Sequence, residues 1–463
     1  MSTPAPADAA KSAAHGKHMA MFIVFLVVFI DLLGFGIVLP LMPRFAVDYM
    51  SGFADWEKGL VIGLLYSSFS LMQFVFSPMW GRISDRIGRR PIVLLSLAGS
   101  VVFYGLFAFA CTLPPAQSTL ALLLLLASRI GAGIAGASVS TASAVIADST
   151  TPEKRSKGMA LIGVAFGIGF TFGPLIAYAG LIWLPTDAND ADKIASEWLW
   201  VPGGIASGLS LIALLIAYAK LPETLKAGSG ESERKGFSLG RSMDVLKMPM
   251  IGPLILIYFL AIFAFANFEA TLALYTKDVF HFNDKKNFLV FAGVGFVLML
   301  AQGGFYRRFA GKVSEQTLMK AGLAMMLMGL GGLGVISYYT YQLKLASGDV
   351  SSFHLIFYIA IAVSVFGFAF VNPSVSSLVS RRADPNRQGE ILGVNQSFAA
   401  IGRILGPLLG SYVFWMHPSR TLPFVCAGGL LILVLLLMSS VGVSDEEAKQ
   451  AKDAKDVEAS TPG

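Results

Sequence analysis

The chain has 463 residues, of which 55% are hydrophobic and only 14% are charged, whereas soluble domains carry about 25% charged residues. This composition excludes a soluble enzyme. The formal net charge of +6 does not indicate nucleic-acid binding, because Lys and Arg are spread over short loops and not gathered on one face. The cysteines, Cys111 and Cys426, provide neither a disulfide framework nor a metal site, and no cofactor is expected.

Twelve apolar runs approach the length of about 20 residues that a membrane-spanning helix needs. They lie near residues 20–42, 59–80, 91–111, 119–147, 157–180, 200–220, 250–275, 287–306, 317–340, 353–378, 390–415 and 421–442. No small-residue cleavage site follows the first run, which is therefore interpreted as a retained helix and not as a signal peptide. The pattern predicts an all-α membrane protein with twelve transmembrane helices.

The two halves of the chain are related in sequence. A shift of 233 residues aligns Gly173-Pro174-Leu175 with Gly406-Pro407-Leu408, without a gap. Parallel repeats of this kind are found in transporters whose substrate site lies at the repeat interface. We expect an N-terminal arm over 1–19, six-helix bundles over 20–220 and 250–442, a linker over 221–249 and a tail over 443–463.

A short charged segment separates the second and third apolar runs. It contains Gly81, Asp85, Arg86, Gly88, Arg89 and Arg90. Such a cluster of charges cannot lie in hydrocarbon, so it predicts a tight, water-exposed turn between two spanning helices. Lys and Arg are more frequent in the loops on this side than in those on the other side. The bias places the Asp85 loop and both chain termini in the cytoplasm.

The spacing Gly-x-x-x-Asp-Arg-x-Gly-Arg-Arg over 81–90 resembles the loop signature of the major facilitator superfamily, where it joins helices 2 and 3. An ordinary basic loop would need the arginines, but neither the Asp nor both glycines. The second half keeps a degraded copy in which Arg308 replaces Asp85. In that family an Asp after helix 4, here Asp148, meets the loop, so Asp148 and the loop are expected to form a cytoplasmic latch.

Four ionisable residues stand well inside the apolar runs: Asp31, Arg129, Glu269 and Arg403. A charge at membrane depth costs at least a few kcal/mol, so each marks a candidate functional site. Asp31 lies near the middle of the first run and is a candidate proton carrier, with Glu269 as the second acid. The alternative for Asp31 is a permanently ionised structural partner of Arg129. Arg403 replaces Phe170 of the first half, a departure from the repeat that favours a role in proton coupling, and we expect it to contact Asp31 or Glu269, with a bound anion as the alternative partner.

Polar and aromatic side chains within the runs are candidates for contact with a substrate. They are Gln73, Phe265, Asn267, Gln302, Asn395 and Gln396. Aromatic rings beside an acid would suit a bulky, apolar and cationic solute. Each polar residue alone is also explained by a hydrogen bond between helices, and each aromatic residue by packing against lipid.

Three further segments narrow the resemblance to the tetracycline-efflux branch of the twelve-helix drug:proton antiporters. Residues 31–40 are similar to its first-helix signature, and Arg129 matches an Arg that the family implicates in proton transfer. Gly169, Gly173 and Pro174 resemble a helix 5 motif associated with antiport and gating, although Ala177-Tyr178 replaces its closing glycine pair. Small residues allow close helix contact and Pro bends a helix, so plain packing also explains this motif.

The chain departs from tetracycline exporters in ways that bear on the substrate. Phe103 stands where they carry an acid in helix 3, no acid occurs over 325–333 in helix 9, and the helix 8 histidine is missing. A metal–tetracycline complex would need those groups, so tetracycline is not expected as the substrate. No nucleotide-binding loop is found, which leaves ATP-driven transport unsupported.

The sequence therefore predicts a monomeric secondary transporter of a bacterial inner membrane. It would export an amphipathic organic molecule in exchange for protons, by alternating access. A proton- or sodium-coupled nutrient symporter is the first alternative and a lipid or glycolipid flippase is the second.

Overall fold

The computed structural model describes residues 6–150, 152–187, 190–225, 239–346, 349–384 and 387–438. Apolar runs become helices because a backbone in lipid must satisfy its hydrogen bonds within the segment. Within the described chain, ten helical segments are long and apolar enough to cross a membrane, and Gly167–Leu181 and Leu422–Leu437 are shorter apolar helices.

Twelve principal helices follow the predicted runs in chain order. They are α1 (Pro6–Val38), α2 (Asp55–Ile87), α3 (Arg89–Ala110), α4 (Ser118–Ala135, continued by Val139–Ser149), α5 (Pro152–Leu181), α6 (Val201–Lys220), α7 (Gly252–Phe280), α8 (Asp284–Leu300), α9 (Glu315–Leu345), α10 (His354–Arg382), α11 (Gln388–Phe414) and α12 (Leu422–Leu437). A π-helix over Ala301–Tyr306 extends α8, and a short helix, Leu239–Leu246, precedes α7.

A small β-hairpin lies between α5 and α6, in the polar stretch that interrupts the regular rhythm of apolar runs. Strand β1 (Thr186–Asp187) pairs antiparallel with β2 (Asp190–Ile194). The apolar pattern gives no signal for these strands, because β2 reads Asp-Ala-Asp-Lys-Ile and lacks a run of alternating apolar residues.

Two compact units divide the described chain. The first unit comprises Met1–Phe53, Leu64–Gly236 and Phe282–Gly295, and the second comprises Ala54–Gly63, Phe237–His281 and Phe296–Gly463. In the first unit, α1 packs through Ile23 and Val27 against Val93 of α3 and Val145 of α4. In the second, Ala301 and Leu318 pack against Ala369 and Phe370 of α10.

The helix α4 is broken by a 3-10 turn over Gly136–Ser138. Such a break leaves carbonyl oxygens without helical partners, and these must be satisfied inside a membrane protein. The side chains of Trp80, Ser96 and Gln73 donate hydrogen bonds to the carbonyl oxygens of Ile134, Ala135 and Gly136, at 2.7, 2.7 and 3.1 Å. Side chains from α2 and α3 thus stabilise the break.

In each half of the chain, the turn in the copy of the charged loop contains a glycine at positive φ. Gly88, between α2 and α3, has φ +108° and ψ 156°, a region essentially restricted to glycine. Gly311, at the equivalent place in the second half, has φ +82°. The degraded second copy of the loop therefore keeps a glycine at positive φ, although it has lost the Asp.

We expect Gly311→Ala to lower the free energy of unfolding by about 1–2 kcal/mol, because an L-residue at positive φ is strained, while a Cβ there meets no atom within 4 Å. Gly88→Ala should cost more, since its Cβ would also meet Oε2 of Glu223, a carboxylate that backbone N–H groups hold in place. Thermal unfolding of the purified variants in detergent measures both effects. Equal unfolding temperatures for the two variants would contradict this ranking.

Candidate functional site

The carboxyl group of Asp31 is buried in the first unit, with 3% of the residue exposed. Ser100 of α3 donates a hydrogen bond to Oδ1 at 3.1 Å, and Ser138, in the break of α4, lies 3.5 Å from Oδ2. The hydroxyl of Tyr104 donates to the backbone carbonyl of Asp31 at 3.2 Å. Two hydroxyl groups and no cation therefore surround this acid in the described part of the chain.

Arg129 is buried in the same unit, with 2% of the residue exposed, and it forms no ion pair among the described residues. Its guanidinium lies over the rings of Phe69 and Phe35, at 4.6 and 5.5 Å from their centroids. Its Nε donates a long hydrogen bond of 3.4 Å to the carbonyl of Leu65. Aromatic faces stabilise a desolvated cation, so Arg129 does not need Asp31 as its counter-ion.

The glycine motif of α5 packs directly on the segment of α1 that carries Asp31. A Cβ at Gly169 would lie 2.9 Å from the carbonyl oxygen of Phe29, and one at Gly173 would lie 2.6 Å from that of Leu33. The ring of Pro174 meets the position of Gly36 at 3.2 Å. The motif therefore packs α5 closely against α1 around Asp31.

The repeat places an equivalent contact in the second unit, between α11 and α7. A Cβ at Gly402 would lie 2.9 Å from the carbonyl oxygen of Phe259, and one at Gly406 would lie 2.7 Å from that of Phe263. The helix α7 carries Glu269. In each unit, therefore, the helix that carries the membrane acid is in contact with the glycines of a neighbouring helix. Oε1 of Glu269 is buried and has no hydrogen-bond partner in the described structure.

Arg403 lies next to this glycine face on α11 and is exposed. Its charge interacts with Glu269 and with Tyr258 of α7, but no ion pair joins Arg403 to Glu269 in the described chain. The hydroxyl of Tyr258 donates a hydrogen bond of 2.7 Å to Asn372 of α10. Sequence reasoning did not single out Tyr258, whose position in an apolar run gives no signal of a polar contact.

The six residues predicted to contact a substrate have different surroundings. Gln73 donates to the break of α4, and Phe265 stacks on Phe368 with ring centroids 3.8 Å apart. Asn267 donates to the carbonyl of Pro423 at 3.0 Å. Gln302 is half-buried in the π-helix and Gln396 is exposed on α11. Both amide atoms of Asn395 are buried without a hydrogen-bond partner in the described chain.

The Asp85 loop is organised around the buried side chain of Arg89. Its guanidinium pairs with Asp85 and with Asp148, whose Oδ2 lies 3.2 Å from Nε. It also donates to Ser84 at 2.7 Å. Gly81 is buried, whereas Arg86 is exposed. The expected contact between the loop and Asp148 is thus present within the first unit.

Glu223, just after α6, caps the start of α3 on the same loop. Its carboxylate accepts the backbone N–H groups of Arg89 and Arg90, at 2.9 and 3.2 Å. Burial raises the pKa of Glu223, but hydrogen bonds from four backbone N–H groups outweigh it and hold the pKa below its usual value. Arg90 donates to the carbonyl of Tyr218 at 2.7 Å. The sequence pattern did not reveal this cap, because it joins distant segments.

The second unit carries an ion pair at the equivalent place with its charges exchanged. Arg381 of α10, which the shift of 233 residues aligns with Asp148, lies 3.8 Å from Glu315 at the start of α9. Tyr306 and Ser377 donate to Glu315 at 2.7 and 3.2 Å. The second half thus retains an ion pair between its third and fourth helices without an Asp at the position of Asp85.

A buried ionic cluster at the other end of α1 was also missed. Arg44, 3% exposed, pairs with Asp48 and lies 3.5 Å from Asp284, the first residue of α8. It also donates to Ser196 at 3.1 Å. In the sequence these residues look like ordinary loop charges, because Asp284 and Ser196 lie far along the chain from Arg44.

Comparison with known proteins identifies the family of this fold. The family model described as Major Facilitator Superfamily matches residues 24–407 and 345–461. "Major facilitator superfamily domain-containing protein 10" of Mus musculus is 27% identical and covers 94% of this chain and 95% of its own. "Tetracycline resistance protein, class B" of Escherichia coli is 26% identical over 85% of this chain and 88% of its own.

Solved structures agree with this comparison. The crystal structure of the human organic anion transporter MFSD10 (TETRAN) has a TM-score of 0.63 and 26% identity, and covers 91% of this chain and 99% of its own. A D-xylose-proton symporter has a TM-score of 0.70 with 16% identity, over 91% of this chain and 97% of its own. The second likeness concerns the fold alone.

We expect Asp85→Asn to reduce transport turnover severely while leaving substrate affinity nearly unchanged. The substitution removes one of the two acids paired with Arg89 and so weakens the loop. The loop is separate in sequence from Asp31 and Glu269, so we expect substrate binding to be little affected. Initial transport rates in proteoliposomes and equilibrium binding to the purified protein separate the two quantities. Lost binding with normal turnover would contradict a latch at this loop.

Proposed function

The chain belongs to the major facilitator superfamily, and we propose that it exports amphipathic organic molecules in exchange for protons. Membership makes it a multi-pass membrane transporter of small molecules and not an enzyme. The tetracycline resistance proteins among its relatives support efflux as the direction of transport. The missing acids and histidine of the tetracycline exporters favour a different substrate.

The proposal of proton exchange rests mainly on the surroundings of Asp31. A carboxyl group that is buried among hydroxyl groups, with no cation beside it in the described chain, can be neutral or charged without breaking an ion pair. Ser100 and Ser138 can donate to the ionised form and accept from the protonated one. Arg129, held by aromatic rings, stays charged in both states and adds a fixed positive field.

Alternating access would link protonation of Asp31 to movement of its helix. Protonation removes the cost of a desolvated negative charge, so the neutral acid tolerates closure of its surroundings and the ionised acid favours access to water. Because Gly169 and Gly173 hold α5 against this part of α1, a shift of α1 must be shared by α5. Glu269, on the equivalent helix of the second unit, is proposed as the second coupling acid.

We place the protein in a bacterial inner membrane with both termini and the Asp85 loop in the cytoplasm, and we propose that it acts as a monomer. The distribution of Lys and Arg supports this orientation. The six-helix bundles over 20–220 and 250–442, with the linker over 221–249, remain the proposed functional division of the chain. A nutrient symporter and a lipid flippase are the competing functions, and the direction of proton-coupled flux distinguishes both from an exporter.

Organic anions are a specific substrate class within this proposal. The human relative whose crystal structure is 26% identical is titled an organic anion transporter. Arg403, exposed and without an ion pair in the described chain, is the observation in this protein that favours the same class.

We predict that Asp31→Asn abolishes substrate accumulation driven by a pH gradient and leaves downhill exchange, because the amide cannot exchange a proton while it keeps hydrogen bonds to Ser100 and Ser138. Proteoliposomes loaded with members of a dye and drug panel measure both modes. Asp55→Asn is a matched control, since Asp55 is an exposed acid at the start of α2. If Asp31→Asn and Glu269→Gln each still concentrate substrate against a gradient, proton coupling through these acids is wrong.

A further inference from the structure

Arg403 combines features that do not fit a structural arginine. It lies within a helix long and apolar enough to span a membrane, yet the residue is exposed. Among the described residues it makes neither a hydrogen bond nor an ion pair. The guanidinium has five N–H donors, and no described protein group accepts a hydrogen bond from them. Leaving these donors unsatisfied at membrane depth costs free energy, unless water or a ligand accepts their hydrogen bonds.

The two exposed faces of α11 differ in chemistry. Successive residues of a helix are turned by about 100°, so Gln396, seven residues before Arg403, lies on nearly the same face. Both are exposed, as is Gly393 on that side. Leu405 and Leu409, also exposed, lie on the far side, with the glycine contact to α7 between the two faces. An apolar exposed face suits lipid, whereas a face with Arg and Gln suits a water-filled recess.

The groups that act on Arg403 leave its donors available. The acid that acts on the charge of Arg403 is Glu269, and the phenol of Tyr258 also lies within its reach. The hydroxyl of Tyr258 is directed to Asn372, and Glu269 keeps a buried Oε1 without a hydrogen bond. Glu269 in turn interacts with Arg403. The two opposite charges are thus near enough to attract each other, but too far apart to neutralise each other by contact.

The remaining titratable groups on the helices packed around α7 and α11 lie toward the helix ends. Among the side chains that the structure describes, they are Tyr275, Lys277 and Asp278 on α7, Glu390 and Tyr412 on α11, Glu315, Lys320, Tyr338, Tyr339, Tyr341 and Lys344 on α9, His354, Tyr358, Arg381 and Arg382 on α10, Cys426 on α12, Asp244 on the short helix before α7, and Asp55, Glu57 and Lys58 at the start of α2, whose Gly59 and Gly63 approach α11. Glu269 is therefore the acid whose protonation is felt at Arg403.

We propose that Arg403 binds the anionic group of the substrate, a carboxylate or sulfonate, with Gln396 contacting another part of the same molecule along the exposed face of α11. This assignment rests on the proposed transport function and names its substrate class as amphipathic organic anions. A guanidinium offers paired N–H donors that match a carboxylate. Two helical turns, about 10 Å, separate Gln396 from Arg403, which is the length of a small aromatic acid.

A substrate anion and the Glu269 carboxylate compete for the same cation. Substrate binding is therefore stronger when Glu269 is protonated, and affinity for the anion should rise as pH falls. A proton on Glu269 accompanies the bound anion, so it cannot be the proton that is exchanged for it. For anionic substrates Glu269 therefore takes part in coupling by setting the affinity for the anion, and Asp31 remains the acid whose proton is exchanged.

Binding of matched probes to the purified full-length protein tests the site without requiring transport. The probes are 1-naphthaleneacetate and its neutral amide, 1-naphthaleneacetamide, which differ in charge and share the ring. Calorimetry gives the dissociation constant of each at several pH values. The variants are Arg403→Gln, Arg403→Lys and Glu269→Gln, with Arg307→Gln as the control that removes an exposed cation of the same unit.

Wild type and Arg307→Gln should bind the anion about tenfold or more tightly than the amide, because a charged hydrogen-bonded pair contributes about 1.5–3 kcal/mol. Arg403→Gln should lose this preference, and Arg403→Lys should keep part of it. The preference should grow toward low pH in wild type and become independent of pH in Glu269→Gln. No anion preference in wild type, or an unchanged preference in Arg403→Gln, overturns the site. Failure of gradient-driven export with the preference intact would instead overturn only the proposed coupling.

Discussion

The cost of holding ionised side chains within apolar helices governs the arrangement of this protein. The four such residues differ in their surroundings; they are Asp31, Arg129, Glu269 and Arg403. Hydroxyl groups surround Asp31, aromatic rings cover Arg129, an oxygen of Glu269 has no described partner, and Arg403 is exposed. A closed ion pair would be simpler, but it would fix the charge of each acid. Their separation leaves each acid free to change its protonation state, which is what coupling requires.

Each helix that carries a membrane acid is packed closely against a neighbouring helix. The glycines of α5 contact the backbone of α1 around Asp31, and the glycines of α11 contact the backbone of α7, which carries Glu269. The glycines carry no side chain of their own at these points, so the two helices of each pair are packed closely against each other. A change in the charge of one acid can therefore act on a pair of helices, which is the scale of movement that alternating access needs.

The sequence was most informative where the type of a residue alone determines the energetic cost of placing it in lipid. Twelve apolar runs and the charged turn around Gly88 follow from the need to keep polar groups out of lipid, and the all-α fold of the superfamily agrees with them. The partners of costly residues could not be predicted, because partnership depends on distant segments. Examples are the contact of Glu223 with the start of α3, that of Arg44 with Asp284, and the ion pair of Glu315 and Arg381. The break in α4 was equally hidden, since the donors to its free carbonyl oxygens come from α2 and α3.

The central claim is that Asp31 exchanges a proton when substrate binds, and proton release on binding measures this most directly. Purified protein in weakly buffered solution with a pH indicator is mixed with a substrate identified in the transport panel. Because a bound anion also draws a proton onto Glu269, the comparison is made in the Glu269→Gln background. Glu269→Gln should release protons on binding at a pH where Asp31 is partly protonated, the double variant that also carries Asp31→Asn should bind without that release, and the double variant with Asp85→Asn should release as Glu269→Gln does. Binding to Glu269→Gln without proton release, or equal release by the double variant with Asp31→Asn, would contradict the account.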